Sequence, residues 1–204
     1  MSGVPTTQFA YRNGLGTCDA LLYVAHILQN ALEMGQEARR VQIDFSAAFE
    51  RVNHQGILFE LCSVGVGGSV LSVMTQFLSD RSQYVVVDGC RSKLVNVVLG
   101  VPQGSVFGLQ LFLLYTAELF SIVENKLYSY ADDSTLVAVV LSSGERVAVS
   151  ESMNHDLNRV SMWCNLLGMK LNASKTKTMT VSRSSTVHPV NPIDSRWNCA
   201  KGVC

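Results

Sequence analysis

Lys126-Leu127-Tyr128-Ser129-Tyr130-Ala131-Asp132-Asp133-Ser134-Thr135-Leu136-Val137-Ala138-Val139-Val140 reads as an aromatic run and a β-branched run folded back on each other. Lys126 to Tyr130 and Thr135 to Val140 form the arms of this hairpin, and Ala131-Asp132-Asp133-Ser134 forms its tip. Adjacent aspartates favour tight turns by themselves, because their side chains accept from nearby backbone N–H groups. A second reading comes from far upstream. Arg40-Val41-Gln42-Ile43 alternates polar and apolar residues as a short strand does, and it runs into Asp44. If the two segments are neighbours in one sheet, Asp44, Asp132 and Asp133 meet at strand ends as a site for hard divalent cations. Two such ions about 3.5 to 4 Å apart can activate a hydroxyl and stabilise a departing phosphate.

Outward from the hairpin, helical and extended signals alternate irregularly. Thr17 can cap a helix with Asp19 in its first turn and Leu21, Ala25, Leu28 and Leu32 on one face, ending at Gly35. Ile57, Leu58 and Leu61 before Gly65, then Val70, Leu71, Met74, Phe77 and Leu78 before Asp80, mark two further helices. Gln83 to Val87 and Leu94 to Val98 flank Asp88-Gly89 as another hairpin. A helix over 106–120 follows the loop Gly100-Val101-Pro102-Gln103-Gly104-Ser105, with Ser105 as its cap. Ser142 and Glu145 have capping-box spacing ahead of a stripe of Val149, Met153, Leu157, Val160, Cys164 and Leu167 that stops at Gly168. Antiparallel pairs amid irregularly placed helices predict an α+β fold rather than a doubly wound parallel sheet. After Val181 the composition turns to Ser, Thr, Pro and Asn, and residues 183–204 are expected to be a loose tail.

The chain has 204 residues, 48% apolar and 16% charged, enough for one buried core. Its formal net charge is zero, an unusual balance for a protein that meets phosphate backbones. Distribution offsets the sum, since Leu157 to Asn191 contains no acid while Arg159, Lys170, Lys175, Lys177 and Arg183 are basic. A plain solvated face explains the same run equally well. The cysteines form no CxxC pair and no His stands at zinc-ligand spacing, which argues against a zinc site or a disulfide framework and favours a reducing compartment. Leu111 to Val123 is apolar but short and interrupted by Thr116, Glu118 and Ser121, so no membrane span is expected. With no secretory signal at the N-terminus, an intracellular location, nuclear or cytoplasmic, is the expectation.

Asp44-Phe45-Ser46-Ala47-Ala48-Phe49, Gly100-Val101-Pro102-Gln103-Gly104-Ser105 and Tyr130-Ala131-Asp132-Asp133 stand in the order and rough spacing of reverse transcriptase palm motifs. Leu171-Asn172-Ala173-Ser174-Lys175-Thr176 resembles the motif that follows them. Gln8-Phe9-Ala10-Tyr11-Arg12-Asn13-Gly14-Leu15-Gly16-Thr17-Cys18-Asp19-Ala20-Leu21 is similar to the fingers-to-palm segment of non-LTR (LINE-type) retrotransposon enzymes. The resemblance implies a polymerase palm, an antiparallel sheet with helices packed on one face, over residues 36–182, and a fingers remnant with a connecting helix over residues 1–35. It implies RNA-directed DNA synthesis with two Mg²⁺ or Mn²⁺ ions, on an RNA template and a DNA primer, from deoxynucleoside triphosphates.

Under that resemblance Asp44 and Asp132 are the main metal ligands, with Asp133 supporting them. Phe49 stands where the family places a steric gate against the 2′-hydroxyl; core packing is its alternative. Gln103 and Gly104 line the nucleotide pocket, although a loop amide satisfying backbone groups reads the same. Lys175 stands near the pyrophosphate as a cation or proton donor. Arg12, Lys170, Lys177 and Arg183 contact nucleic acid, with a surface ion pair to Asp19 as the alternative for Arg12.

Several positions depart from the family. Glu50 replaces an Asp after the gate aromatic, Leu109 replaces a proline, Gln110 enters an apolar run, and Ser129 stands where a glycine is common. A buried glutamine without partners costs about 1 to 3 kcal/mol. The chain is expected to begin inside the fingers and to lack a full thumb, as part of a longer polyprotein. The departures leave open a catalytically inactive retrotransposon relic that at most binds nucleic acid weakly. A ferredoxin-like RNA-binding module is the remaining reading, and it calls for stacking aromatics on a sheet face, where the Gln83–Val87 hairpin offers only Tyr84.

Overall fold

Strand β1 (Glu37–Ile43) is the axis of the molecule, and in the computed structural model, which describes residues 4–183, it is bordered on both sides. The other strands of its sheet are β6 (Lys126–Tyr130), β7 (Asp133–Val140) and β8 (Lys177–Val181), in the order β6-β7-β1-β8 with every pair antiparallel. Between β1 and β6 lie helices α2 (His54–Ser63) and α3 (Gly68–Leu78), short strands β2 (Arg81–Gln83), β3 (Val86–Val87), β4 (Cys90–Arg91) and β5 (Val95–Val97), and helix α4 (Val106–Tyr115). Helix α1 (Thr17–Glu33) precedes the sheet, and α5 (Arg146–Leu167) links β7 to β8.

Side-chain alternation along the strands decides what packs where. Val41, Ile43, Leu127, Leu136 and Ala138 join Ile57 and Leu61 of α2, Phe112 of α4 and Leu157 and Val160 of α5 in one large core. The intervening residues Tyr128 and Val137 face the other way and meet Phe9 and Val24. The main helical layer therefore lies on one face, as an antiparallel α+β palm requires, and α1 adds a partial layer on the opposite face over β6 and β1.

Several local expectations change. Gly16, not Thr17, is the N-cap of α1, and Asp19 reaches back so that its Oδ2 accepts from Gly16 N at 2.7 Å. The buried stripe of α1 is Val24 and Ala31 with Ala20, Ile27 and Leu28, whereas Leu21 and Ala25 are exposed, because the surface available is the small patch around Phe9 and Tyr128. The predicted 106–120 helix stops at Tyr115 and continues as a 3-10 turn over Ala117–Phe120. The Ser142–Glu145 capping box does not form; a 3-10 turn over Ser143–Glu145 leads into α5. The first hairpin turns at Asp88-Gly89, both with positive φ (48° and 79°), but its arms break into the ladders β2–β5 and β3–β4. Of the tail over residues 183–204, only Arg183 falls within the described residues.

Candidate functional site

The register of the sheet brings the upstream acid to the hairpin. Ile43, the last residue of β1, pairs with Ser134, so Asp44 follows it at the same end of the sheet as the carboxylate turn, close enough for its charge to act on Asp132. The turn itself is tighter than the sequence suggests. Tyr130 pairs directly with Asp133, leaving only Ala131 and Asp132 in the turn, with Ala131 in a left-handed conformation (φ 56°). Asp133 and Ser134 belong to β7. Ser129, standing where a glycine is common, is buried with its hydroxyl 2.8 Å from that of Ser134, so each hydroxyl satisfies the other.

The carboxylates are electrostatically poised. Burial holds the Asp132 carboxyl above its ordinary range, and the neighbouring charges of Asp133 and Asp44 push it further in the same direction. Asp44 Oδ2 is buried without a hydrogen-bond partner, although the Asp44 backbone is well tied. An unpaired buried carboxylate oxygen is costly unless a cation meets it. Among the described residues no three His, Cys, Asp or Glu side chains cluster at metal-holding distance. Mg²⁺ needs no such cage, since it takes one or two carboxylates and fills its shell with water and substrate phosphates. The pair Asp44 and Asp132 fits that chemistry.

The segment after α5 is laced to the strand end. Ser46 N donates to Lys170 O at 2.7 Å, Asn172 N donates to Asp44 O at 2.8 Å, and Thr176 Oγ1 accepts from Asp44 N at 3.3 Å. Lys170 and Lys175 are therefore exposed on a strap that crosses Asp44, and Lys177 opens β8 opposite Gln42. Arg183 is exposed beyond the strand. Arg159 is committed elsewhere, to Glu124 at 2.8 Å and Asp156 at 3.3 Å. Arg12 does not pair with Asp19, which caps α1; its guanidinium donates to Pro5 O at 2.9 Å and Gln8 O at 3.3 Å.

The glutamine loop is pressed onto the segment that follows Asp44. Gly100 N donates to Val52 O at 2.7 Å and Val101 N to Phe49 O at 3.0 Å. A Cβ on Gly100 would stand 2.8 Å from Glu50 Cα, and its φ of 82° also selects glycine. His54 Nε2 and Arg81 NH1 both donate to Gly100 O, at 2.8 and 3.2 Å. Phe49 is half-buried and stacks on Phe112 with ring centroids 4.1 Å apart. Gln103 and Gly104 are exposed in the turn before α4, so the loop amide satisfies no buried backbone group. Ser105 Oγ accepts from Gly108 N at 3.0 Å as the expected cap and donates to Pro102 O at 2.6 Å.

Gln8, the first residue of the fingers-to-palm motif, has a role that the sequence does not reveal. It is 1% exposed; its Oε1 accepts from Ala131 N and Ala10 N, both at 3.0 Å, and its Nε2 donates to Ala131 O at 3.1 Å. Nothing in the local pattern marks it, because the peptide it grips lies 123 residues further along the chain.

Residues 2–193 match the family described as reverse transcriptase (RNA-dependent DNA polymerase). The chain is 29% identical over 189 residues to the RNA-directed DNA polymerase from mobile element jockey of Drosophila funebris, covering 89% of this chain and 20% of that protein. It is 30% identical over 182 residues to the probable RNA-directed DNA polymerase from transposon BS of Drosophila melanogaster, covering 85% and 20%. The chain thus spans about a fifth of the length of these relatives. Among solved structures it is similar to telomerase from Candida albicans in complex with a TWJ fragment of telomeric RNA, with a TM-score of 0.60 at 13% identity, covering 84% of this chain and 31% of that one. That likeness bears out the expected fold.

Proposed function

The chain belongs to the reverse transcriptase family, and from that premise we propose that it forms the palm of an RNA-directed DNA polymerase that extends a primer 3′-hydroxyl with deoxynucleotides. The observation that carries this reading is the unpaired, buried Asp44 Oδ2 together with the charges of Asp44 and Asp133 acting on the Asp132 carboxyl. Asp44 and Asp132 would hold two Mg²⁺ or Mn²⁺ ions, with Asp133 beside them. Such ions, when bound, activate the attacking hydroxyl and neutralise the departing pyrophosphate.

The other residues bind and orient. Phe49, braced by Phe112, bounds the sugar so that a 2′-hydroxyl is excluded. Gln103 and Gly104 lie on a loop held against that ring's backbone and are free to face the nucleotide. Lys175, on the strap across Asp44, is suited to the pyrophosphate. Arg12, Lys170, Lys177 and Arg183 are basic groups for template and primer phosphates. Residues 36–182 are the palm in this reading and residues 1–35 the link to the fingers, and the far greater length of the relatives fits further fingers and thumb regions in a longer polyprotein. The work would be intracellular, in nucleus or cytoplasm, where template and deoxynucleotides are found; among the described residues no helix is long and apolar enough to cross a membrane.

Primer extension on an RNA template with Mg²⁺ tests the proposal. Asp44→Asn and Asp132→Asn should each lower extension by roughly two to three orders of magnitude, the scale of losing a group that stabilises developing charge. Extension unaffected by either change overturns the assignment. Phe49→Val should admit ribonucleotides. A second reading, an inactive relic that binds RNA weakly, is favoured by the buried and unpartnered Gln110 Oε1. It predicts salt-dependent RNA binding through the strap lysines with no nucleotide addition.

A further inference from the structure

The two-residue turn that carries Asp132 cannot be fixed by strand pairing alone. The ladder ends at Tyr130 and Asp133, and Ala131 occupies a left-handed conformation that costs an alanine about 1 to 2 kcal/mol. Such strain persists only where the surroundings over-determine it. The side-chain amide of Gln8 grips both sides of Ala131, accepting from its N–H at 3.0 Å and donating to its carbonyl at 3.1 Å. The grip has a fixed base. Phe9 N donates to Ser129 O and Ser129 N to Thr7 O, both at 2.9 Å, so the backbone around Gln8 is bonded to β6 just before the turn. Gln8 Oε1 also accepts from Ala10 N, which locks the amide's orientation.

We propose that Gln8 is a positioning residue for the carboxylate turn: by holding the Ala131 peptide on both sides, it sets where Asp132 stands relative to Asp44. This deepens the metal-site reading above and rests on it. Gln8 touches neither substrate nor metal, and its effect passes through one peptide. Groups that orient a metal ligand from behind typically change metal affinity by about 10 to 100-fold when removed.

The test compares the chain with Gln8→Met, which is similar in length and has no amide. Amide hydrogen exchange reads the grip directly, without metal or substrate, and Mn²⁺ binding, followed by the paramagnetic resonance of the free ion, reads its consequence. In Gln8→Met, exchange should quicken by about tenfold or more at Ala131, the loss of about 1.4 kcal/mol of protection, while Leu136 in the neighbouring strand keeps its protection. Mn²⁺ affinity should fall by about tenfold or more. Unchanged exchange at Ala131 overturns the proposal, and so does faster exchange with unchanged Mn²⁺ binding, which would leave Gln8 a merely structural residue. Should Gln8→Met fail to fold, Gln8→Glu keeps the acceptor and loses the donor, and the same two readouts decide. Asp132→Asn separates the layers: if it binds Mn²⁺ like the unaltered chain, the metal-site reading falls whatever Ala131 does, whereas loss of binding there with normal behaviour in the Gln8 variants removes only this inference.

Discussion

Asp132 carries its charge against its surroundings, first through burial and then through Asp133 and Asp44. An unfolded aspartate titrates near 3.9, and in the fold the group keeps its proton to higher pH. The folded state therefore binds more protons across that interval, so stability is lost as pH rises through it and the deficit is complete above the folded value. Asp132→Asn should accordingly raise the thermal midpoint at pH 7, with the gain vanishing below about pH 3.9; a lower midpoint at pH 7 contradicts this. Gln110 is the opposite case, a buried acceptor with no partner and no site to serve. Gln110→Leu should stabilise the chain by about 1 to 3 kcal/mol in urea unfolding. At Gly108 a Cβ would run into Pro102 O, so Gly108→Ala must displace the glutamine loop. It should cost about 1 to 3 kcal/mol and weaken deoxynucleotide use, read as a raised KM in primer extension.

Elements were legible where their signal is local. Ser105 caps α4 as its position suggests, and Met153, Leu157, Val160 and Cys164 are buried along α5 as their spacing requires. Asp88-Gly89 makes its turn because both residues tolerate positive φ. Illegible features depend on distant partners. The stripe expected for α1 began at Leu21 and Ala25, and the patch around Tyr128 instead buries Val24 with Ala20, Ile27 and Leu28. Asp156, fully buried on the inward face of α5, looks like a flaw in an apolar stripe until its partners are seen. Its Oδ1 accepts from Glu124 N at 2.9 Å, and its Oδ2 from Asn125 N and Asn125 Nδ2 at 2.8 and 2.7 Å, which pins the start of β6 to the helix. Asp156→Ala should cost about 1 to 3 kcal/mol, by removing the buried acceptor that ties Glu124 and Asn125 to the helix. Of the site, the acids were readable as types and in order, while the two-residue turn and the Gln8 grip required the pairing of segments far apart in the chain.

At the scale of the whole molecule, β1 carries charge chemistry at both ends. Opposite to Asp44, Glu37 accepts from Arg39 Nε at 2.7 Å and from Arg146 Nε at 2.9 Å, and Arg39 reaches on to Arg146 O and the Ser150 hydroxyl. Burial raises the Glu37 carboxyl, but the two arginines outweigh it and hold the group below its ordinary value. Its contribution is therefore present above the unfolded value of about 4.3 and is lost as pH falls towards the folded one. Glu37→Gln should flatten the acid limb of a urea-midpoint profile; an unchanged limb excludes the network as its cause. The position of β1 has a further consequence in time. Its neighbours in the sheet, β7 and β8, are made long after it, so on a chain leaving the ribosome β1 has no strand partner until β7 emerges and keeps one open edge until β8 follows. Folding dominated by such remote pairings is slow, and a polypeptide interrupted before Lys170 leaves Asp44 without the strap that ties it.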